Sequence, residues 1–223
     1  MMTTNKLTKT FASGSLAIGV LAGAVLTATS ASASGGPNES VITTWEDWAI
    51  LGNPLQLSDG TTATYVSGSI QAELLDEVGL FFLGNEYEFQ YNATTLDSPN
   101  LNGTQNGSFT YTITFAHPVS GVAIDSDVTA NYGTVTKTIP GILNPPLVSV
   151  NGSEDPLVGF HPITPTQLSL TVTDTISNPN GPVEELSTIS NNFEIHKVPE
   201  PGTILGLLAV GGLGLVSRFK KQK

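Results

Sequence analysis

The stretch SFTYTITFAH, residues 108–117, alternates bulky apolar side chains with small polar ones. The apolar residues are Phe109, Tyr111, Ile113 and Phe115, with a threonine in each gap between them. Successive side chains of a β-strand point to opposite faces of its sheet. Alternation over this length therefore predicts a strand with one buried face and one solvent-facing, hydroxyl-rich face.

The same period of two recurs along the middle of the chain. It is clear in NEYEFQYN (85–92), QLSLTVTD (167–174) and NFEIHKV (192–198), and weaker at 61–70, 119–128, 131–139 and 146–150. In QLSLTVTD the predicted inward set is Leu168, Leu170 and Val172. Asp-Gly at 59–60 and Asn-Gly at 106–107 and 151–152 are typical of turns between strands.

These patterns predict an all-β fold, an antiparallel β-sandwich of roughly eight to ten strands. They leave jelly-roll and immunoglobulin-like topologies open. One segment differs: QAELLDEVGLFFL (71–83) places Leu74, Leu75 and Val78 at a spacing that fits a short helix or a loop.

Charge is distributed unevenly along the 223 residues. Between residues 34 and 198 the chain has two lysines and eighteen acids, a net charge of −16. A domain this acidic repels a phosphate backbone, so nucleic acid is excluded as a partner. The chain has no cysteine, which excludes a disulfide framework and a thiolate metal site.

The first 33 residues have the features of a secretory signal peptide with a helical apolar segment. Lys6 and Lys9 precede an uncharged apolar run at 11–28, and SASAS follows that run. Small residues at the −3 and −1 positions are what signal peptidase requires. We expect cleavage after Ala33, with Ala31 as the second choice, and an extracytoplasmic domain from residue 34 to residue 198.

The other end of the chain predicts a transmembrane helix. The apolar run 203–217 would extend about 22 Å as a helix, against a hydrocarbon core of about 30 Å. Arg218, Lys220 and Lys221 follow it, as expected for a tail on the cytoplasmic side. Before it, VPEPG contains two prolines that fix an extended, stiff backbone accessible to a protease.

Together these parts resemble the PEP-CTERM sorting signal of exported bacterial proteins. The matching residues are Val198, Pro199, Glu200, Pro201 and Gly202, the apolar helix 203–217, and the basic Arg218, Lys220 and Lys221. The resemblance covers residues 199–223 and the preceding valine, and leaves the central domain unassigned.

The resemblance implies processing by an exosortase in the inner membrane, followed by transfer to the cell surface or extracellular matrix. The partners it implies are the exosortase, the membrane before processing and extracellular polysaccharide, in addition to the signal peptidase that the N-terminal segment predicts. The function to expect is a structural or adhesive role in an exopolysaccharide layer, as in a biofilm.

A calcium site is one alternative, centred on AIDSDVTAN (123–131). Asp125 and Asp127 are two residues apart, so on a strand they share a face and on a loop they could both ligate one cation. Calcium prefers such hard oxygen ligands. The loop lacks the glycine and the distal glutamate of an EF-hand, and a polar strand edge explains the pattern as well.

Carbohydrate stacking is the second candidate activity. Trp45 and Trp48 lie three apart in TTWEDWAI, and two exposed indole rings could stack on a sugar. The competing interpretation is burial in the sandwich core, which large aromatic side chains favour. A calcium-assisted carbohydrate-binding module is therefore the alternative to the structural role.

No catalytic motif stands out in the extracytoplasmic domain. It has no cysteine nucleophile and no GxSxG, so we expect no enzyme and no obligatory cofactor. A glycan hydrolase with two carboxylates and an ice-binding protein are further, weaker alternatives.

Overall fold

The computed structural model describes residues 38–93, 106–180 and 185–197. The predicted signal peptide, the transmembrane segment 203–217 and the sorting residues from Val198 onward lie outside these ranges. Within them, no helix is long and apolar enough to cross a membrane.

The described residues form ten strands and one π-helical turn, Glu46–Ile50. The strands are β1 (Glu39–Thr44), β2 (Leu55–Gln56), β3 (Thr62–Gly68), β4 (Glu77–Phe82), β5 (Glu86–Asn92), β6 (Asn106–Val128), β7 (Thr134–Thr138), β8 (Leu147–Val150), β9 (His161–Ser177) and β10 (Leu186–Ile195). The strand pairings are antiparallel.

Two layers share the long strand β6. Its second half, 119–128, pairs with β10 and closes a first layer in the order β1-β4-β5-β10-β6. Its first half, 106–114, pairs with β3 and β9, giving a second layer ordered β3-β6-β9-β7-β8. Phe89 of the first layer stacks on Tyr111 of the second with ring centroids 4.1 Å apart. The predicted antiparallel β-sandwich is confirmed.

The alternating apolar residues build the core as predicted. Those of 108–117 and 85–92 are all buried, because β5 and the first half of β6 present them to the space between the layers. Leu168 is an exception, with 53% of its surface exposed. The β6–β9 register shifts between the Thr114–Ser169 pair and the Val119–Gln167 pair, so the inward alternation of β9 is interrupted there.

Of the two possibilities left open at 71–83, the structure has the loop. No helix forms there: the loop exposes Leu74 and Leu75, and strand β4 begins at Glu77. Pairing of β4 with both β1 and β5 supplies hydrogen bonds that an isolated short helix would lack. The turn predicted at Asn106 and Gly107 was wrong, because these residues continue β6 and pair with the end of β9.

Candidate functional site

The two tryptophans are part of the core. Trp45 is 6% exposed and Trp48 is fully buried. The indole nitrogen of Trp48 donates a hydrogen bond to the Ala63 carbonyl oxygen at 3.0 Å. Their rings meet edge to face at 5.6 Å, and Trp48 lies 5.1 Å from the Phe89 ring. The predicted sugar-stacking platform is therefore absent at this pair, because neighbouring rings already cover both indoles.

A shallow groove of about 350 Å³ lies on the outer face of β5, β10 and β6. One side is formed by the loop between β8 and β9, which is joined to β6 by backbone hydrogen bonds between Ile124 and Asp155. We call it the acidic groove. Its lining residues with polar side chains are Glu86, Glu88, Asp125, Glu154, Ser190 and Asn192.

The carboxylates of the acidic groove repel one another. Glu86 is opposite Glu194 in the β5–β10 register. Partial burial raises the pKa of Glu86, and the negative charges of Glu88 and Glu194 raise it further. A surface that concentrates negative charge in this way favours cations or the hydroxyl groups of a neutral ligand.

Asp125 and Asp127 lie on β6 at alternate positions, on the same outer face, as expected for a strand. Burial raises the pKa of Asp125, the charges of Glu154 and Asp127 add to this, and the Ser126 amide opposes it. Asp155 is directed elsewhere and accepts a hydrogen bond from the Val148 amide at 2.6 Å. Across the described ranges, no three His, Cys, Asp or Glu residues cluster closely enough to hold a metal ion. The calcium site stays a prediction.

The second layer has a very different outer face. Its central strands present a regular array of hydroxyl side chains, which we call the hydroxyl face. It comprises Ser108, Thr110, Thr112 and Thr114 on β6, Ser169, Thr171, Thr173 and Thr175 on β9, and Thr134, Thr136 and Thr138 on β7.

The pairing register of β6 with β9 and of β9 with β7 aligns these hydroxyls in rows across the strands. Thr110 and Thr173 oxygens are 2.8 Å apart, and the Thr112–Thr171 pair is 3.4 Å apart. Rows are spaced about 4.8 Å across strands and about 6.7 Å along them, as strand geometry requires. Every position of this array carries a hydroxyl and none carries a charge, in a domain that is otherwise strongly acidic.

The threonine alternation is visible in the sequence, but the face that it creates is not. The T-x-T pattern at 110–114, 134–138 and 171–175 is a visible signal. Its meaning depends on strand order, because only the pairing of β6 with β9 and of β9 with β7 joins three separate ladders into one surface.

Sequence reasoning also missed a polar cluster inside the core. Lys137, Asp174 and Asn191 are each 0% exposed. Each lies on the buried face of its strand beside apolar residues; Lys137, for example, shares that face of TVTKT with Val135. The sequence did contain a signal for this cluster: a polar residue stands where the alternation predicts a buried apolar one.

The family model of the PEP-CTERM protein-sorting motif matches residues 197–221. The match includes the sorting residues identified above, from Val198 to Lys221. No curated protein and no solved structure matches the chain. The chain thus carries a PEP-CTERM motif, which marks an exported protein that an exosortase sorts to the cell surface.

Proposed function

We propose that this protein is a non-enzymatic structural or adhesive component of an extracellular polysaccharide layer, and that it contacts the polysaccharide through the hydroxyl face. The observation that carries this proposal is the aligned, uncharged hydroxyl array on β6, β9 and β7. The sorting motif supports it by directing the chain to the surface where such a layer lies.

Hydroxyl groups suit this role because each is both a donor and an acceptor. A sugar hydroxyl can therefore replace the water bound to a threonine without leaving a group unpaired. Single bonds of this kind contribute little net free energy. A periodic row of hydroxyls that faces a periodic polymer can form many such hydrogen bonds at once. Binding then depends on multivalency. The missing charge also avoids repulsion from an acidic polysaccharide.

The sorting role is tested by deleting residues 199–223 and following the protein by cell fractionation. We expect the truncated protein to lose surface retention and to appear in the periplasm or the medium. A matched control removes only Gln222 and Lys223, which lie beyond the matched segment. Normal surface retention of the longer deletion would contradict the proposal.

The adhesive role is tested by cosedimentation of the purified exported protein with polysaccharide from the producing cells. Replacing Thr112, Thr171 and Thr173 with valine keeps the branched shape and removes the hydroxyls. We expect the triple variant to bind at least tenfold more weakly, which corresponds to about 1.4 kcal/mol. The matched control replaces the same residues with serine, which retains the hydroxyls. Equal binding by the valine variant would contradict the assignment.

The second candidate is calcium-assisted carbohydrate binding at the acidic groove. The feature that favours it is the convergence of Asp125 and Glu154 with the β5 carboxylates in one groove. Bound calcium would relieve their mutual repulsion and offer open coordination positions to sugar hydroxyls. Calorimetry should then show calcium binding that Asp125→Asn weakens, and a chelator should abolish polysaccharide binding. Binding that is indifferent to chelator favours the hydroxyl face.

The weaker alternatives have their own readouts in the same experiments. New reducing ends in the polysaccharide after incubation would reveal a glycan hydrolase, and none are expected. Inhibition of ice recrystallisation that is lost in the valine variant would instead assign the hydroxyl face to ice.

A further inference from the structure

The polar cluster in the core joins three strands from both layers. Lys137 on β7 is directly opposite Asp174 on β9 in the second layer. Asn191 reaches the same place from β10 in the first layer, and its Nδ2 donates a hydrogen bond to Asp174 Oδ2 at 2.7 Å. Neighbouring strands and opposing layers thus place an amine, a carboxyl and a carboxamide in the same part of the core, with the carboxamide in contact with the carboxyl.

The amine of Lys137 crosses to the layer that holds Asn191. Its Nζ donates a hydrogen bond to the Ala123 carbonyl oxygen on β6 and lies 4.6 Å from the centre of the Phe193 ring. Ala123 is the register partner of Asn192, the next residue after Asn191. Phe193 is two residues beyond Asn191, on the same inward face of β10. The amine therefore lies against the segment of β10 that carries the carboxamide.

This cluster is incompletely hydrogen-bonded. Among the described residues, Oδ1 of Asp174, Oδ1 of Asn191 and the hydroxyl of Tyr111 are buried without a hydrogen-bond partner. A buried polar atom without a partner is costly and uncommon, and such atoms often mark reactive sites. A purely structural ion pair would be expected to satisfy these oxygens.

Burial also sets the protonation states of the pair. Burial lowers the pKa of Lys137 to about 7, and the opposite charge of Asp174 counteracts this. Burial raises the pKa of Asp174 to about 7, with Lys137 and the Asn191 hydrogen bond acting the other way. Burial thus shifts both groups toward their neutral forms, an uncharged amine and a protonated carboxyl. These are the forms of a nucleophile and a general acid.

We propose that Lys137 and Asn191 condense to form an isopeptide crosslink between the two layers, with Asp174 as the proton-transfer group. The proposal is independent of the polysaccharide-binding role, because it concerns the core and not either outer face.

The reaction balances without an added reagent. Rotation of the Asn191 carboxamide presents Oδ1 to protonated Asp174, whose hydrogen bond makes Cγ more electrophilic. The lone pair of Lys137 Nζ then attacks Cγ and forms the new C–N bond. Asp174 carries a proton from Nζ to Nδ2, the Cγ–Nδ2 bond breaks, and ammonia leaves. One amine and one carboxamide thus become one secondary amide and one ammonia.

The surrounding core favours this chemistry. The ring of Phe193 lies beside the amine. Burial raises the pKa of the Tyr111 hydroxyl, and the negative charge of nearby Asp174 raises it further. Exclusion of water limits competing hydrolysis, and the fold holds the reacting groups together so that the reaction is intramolecular.

The crosslink would join β10 to β7 by a covalent bond. β10 ends at Ile195, and the matched sorting motif begins at residue 197. The strand that leads into the sorting motif would therefore be covalently joined to the opposite layer. In a chain without cysteine this bond takes the place of a disulfide, closing a long loop and reducing the entropy of the unfolded chain.

Mass spectrometry of the purified exported protein tests the proposal directly. With the N-terminus defined by sequencing and the C-terminus by its terminal peptide, we expect the intact mass to be lower than the mass of that processed sequence by one ammonia. A succinimide at an Asn-Gly pair would lose the same mass, so the deciding result is a peptide map. It should contain one branched peptide that joins Lys137 to Asn191.

Separate, unjoined peptides for these two residues would overturn the crosslink. Loss of water with Lys137 joined to Asp174 would overturn the choice of Asn191 as the acyl group. Both outcomes are read on the wild-type protein, so neither depends on a variant that must fold.

Three variants and one control then assign the roles. Asn191→Ala and Lys137→Arg should abolish the branched peptide, whereas Asn192→Ala, the neighbouring control, should retain it in full. Asp174→Ala should reduce its yield at least tenfold in soluble protein. A normal yield in Asp174→Ala would overturn the role of Asp174 as the proton-transfer group.

Discussion

Phe89 and Tyr111 stack across the sandwich, with ring centroids 4.1 Å apart and planes inclined by 23°. Phe89 belongs to the layer that carries the acidic groove, and Tyr111 to the layer that carries the hydroxyl face. Trp48 packs on both rings, at 5.1 Å from Phe89 and 6.1 Å from Tyr111. Trp48, one of two buried tryptophans, therefore contacts both layers of the sandwich.

Trp48→Ala should destabilise the fold by about 3–5 kcal/mol, because it leaves a cavity between the layers and removes the hydrogen bond from the indole nitrogen to the Ala63 carbonyl oxygen. Urea unfolding monitored by circular dichroism measures this. Ile50→Ala is the control: Ile50 lies in the same π-helical turn but is 60% exposed, so its change should stay within about 0.5 kcal/mol. A similarly small effect of Trp48→Ala would contradict its place in the core.

Gly133→Ala should destabilise the fold by about 2–4 kcal/mol, the sum of left-handed backbone strain and forced displacement. Gly133 has φ of +128°, and a Cβ there would collide with the Ser177 carbonyl oxygen. Gly141→Ala is the matched control, since Gly141 has φ of +76° with open space around it. It should cost only about 1 kcal/mol of backbone strain. Equal melting temperatures of the two variants would refute the steric account.

Asp76 should make the fold less stable as pH rises. Its side chain is buried, and burial raises its pKa above the ordinary 3.8 despite hydrogen bonds from the Tyr91 hydroxyl and the Glu73 amide. Above pH 3.8 the unfolded chain binds fewer protons at this residue than the folded chain does. The free energy of unfolding therefore falls as pH rises, until the pH exceeds the raised pKa of the folded state.

Asp76→Asn should remove this part of the pH dependence, as measured by melting temperatures between pH 3 and pH 8. Glu77→Gln removes an exposed carboxylate at the start of β4 and serves as the control for charge alone. An unchanged slope in Asp76→Asn would show that another group is responsible.

Glu194→Gln should stabilise the fold by about 0.2–1 kcal/mol, because it removes like-charge repulsion from the Glu86–Glu194 pair. Added salt should stabilise the wild type more than the variant, since salt screens this repulsion. Glu77→Gln is the control, because Glu77 is opposite the neutral Thr44 and Asn92. If Glu194→Gln is destabilising, the carboxylate has a partner that compensates its charge.

The features that could be predicted from the sequence are those that depend on residues close together in the chain. The inward residues of 85–92 and 108–117 were predicted correctly, because strand periodicity is a property of consecutive residues. Strand β4 was missed because its pairing with β1 and β5 is non-local and outweighs the weak helical spacing of Leu74, Leu75 and Val78. The sorting motif was recognisable because its three parts are contiguous in the chain.

Local patterns in the sequence were sufficient to predict the all-β character, the buried side of the clearest strands and the presence of the sorting motif. The tertiary structure alone decided that β6 belongs to both layers, that three threonine ladders merge into one face, and that Lys137, Asp174 and Asn191 meet. The physical reason is that alternation specifies which way a side chain points relative to its own strand. Its neighbours depend on pairing and register between strands that are far apart in the chain.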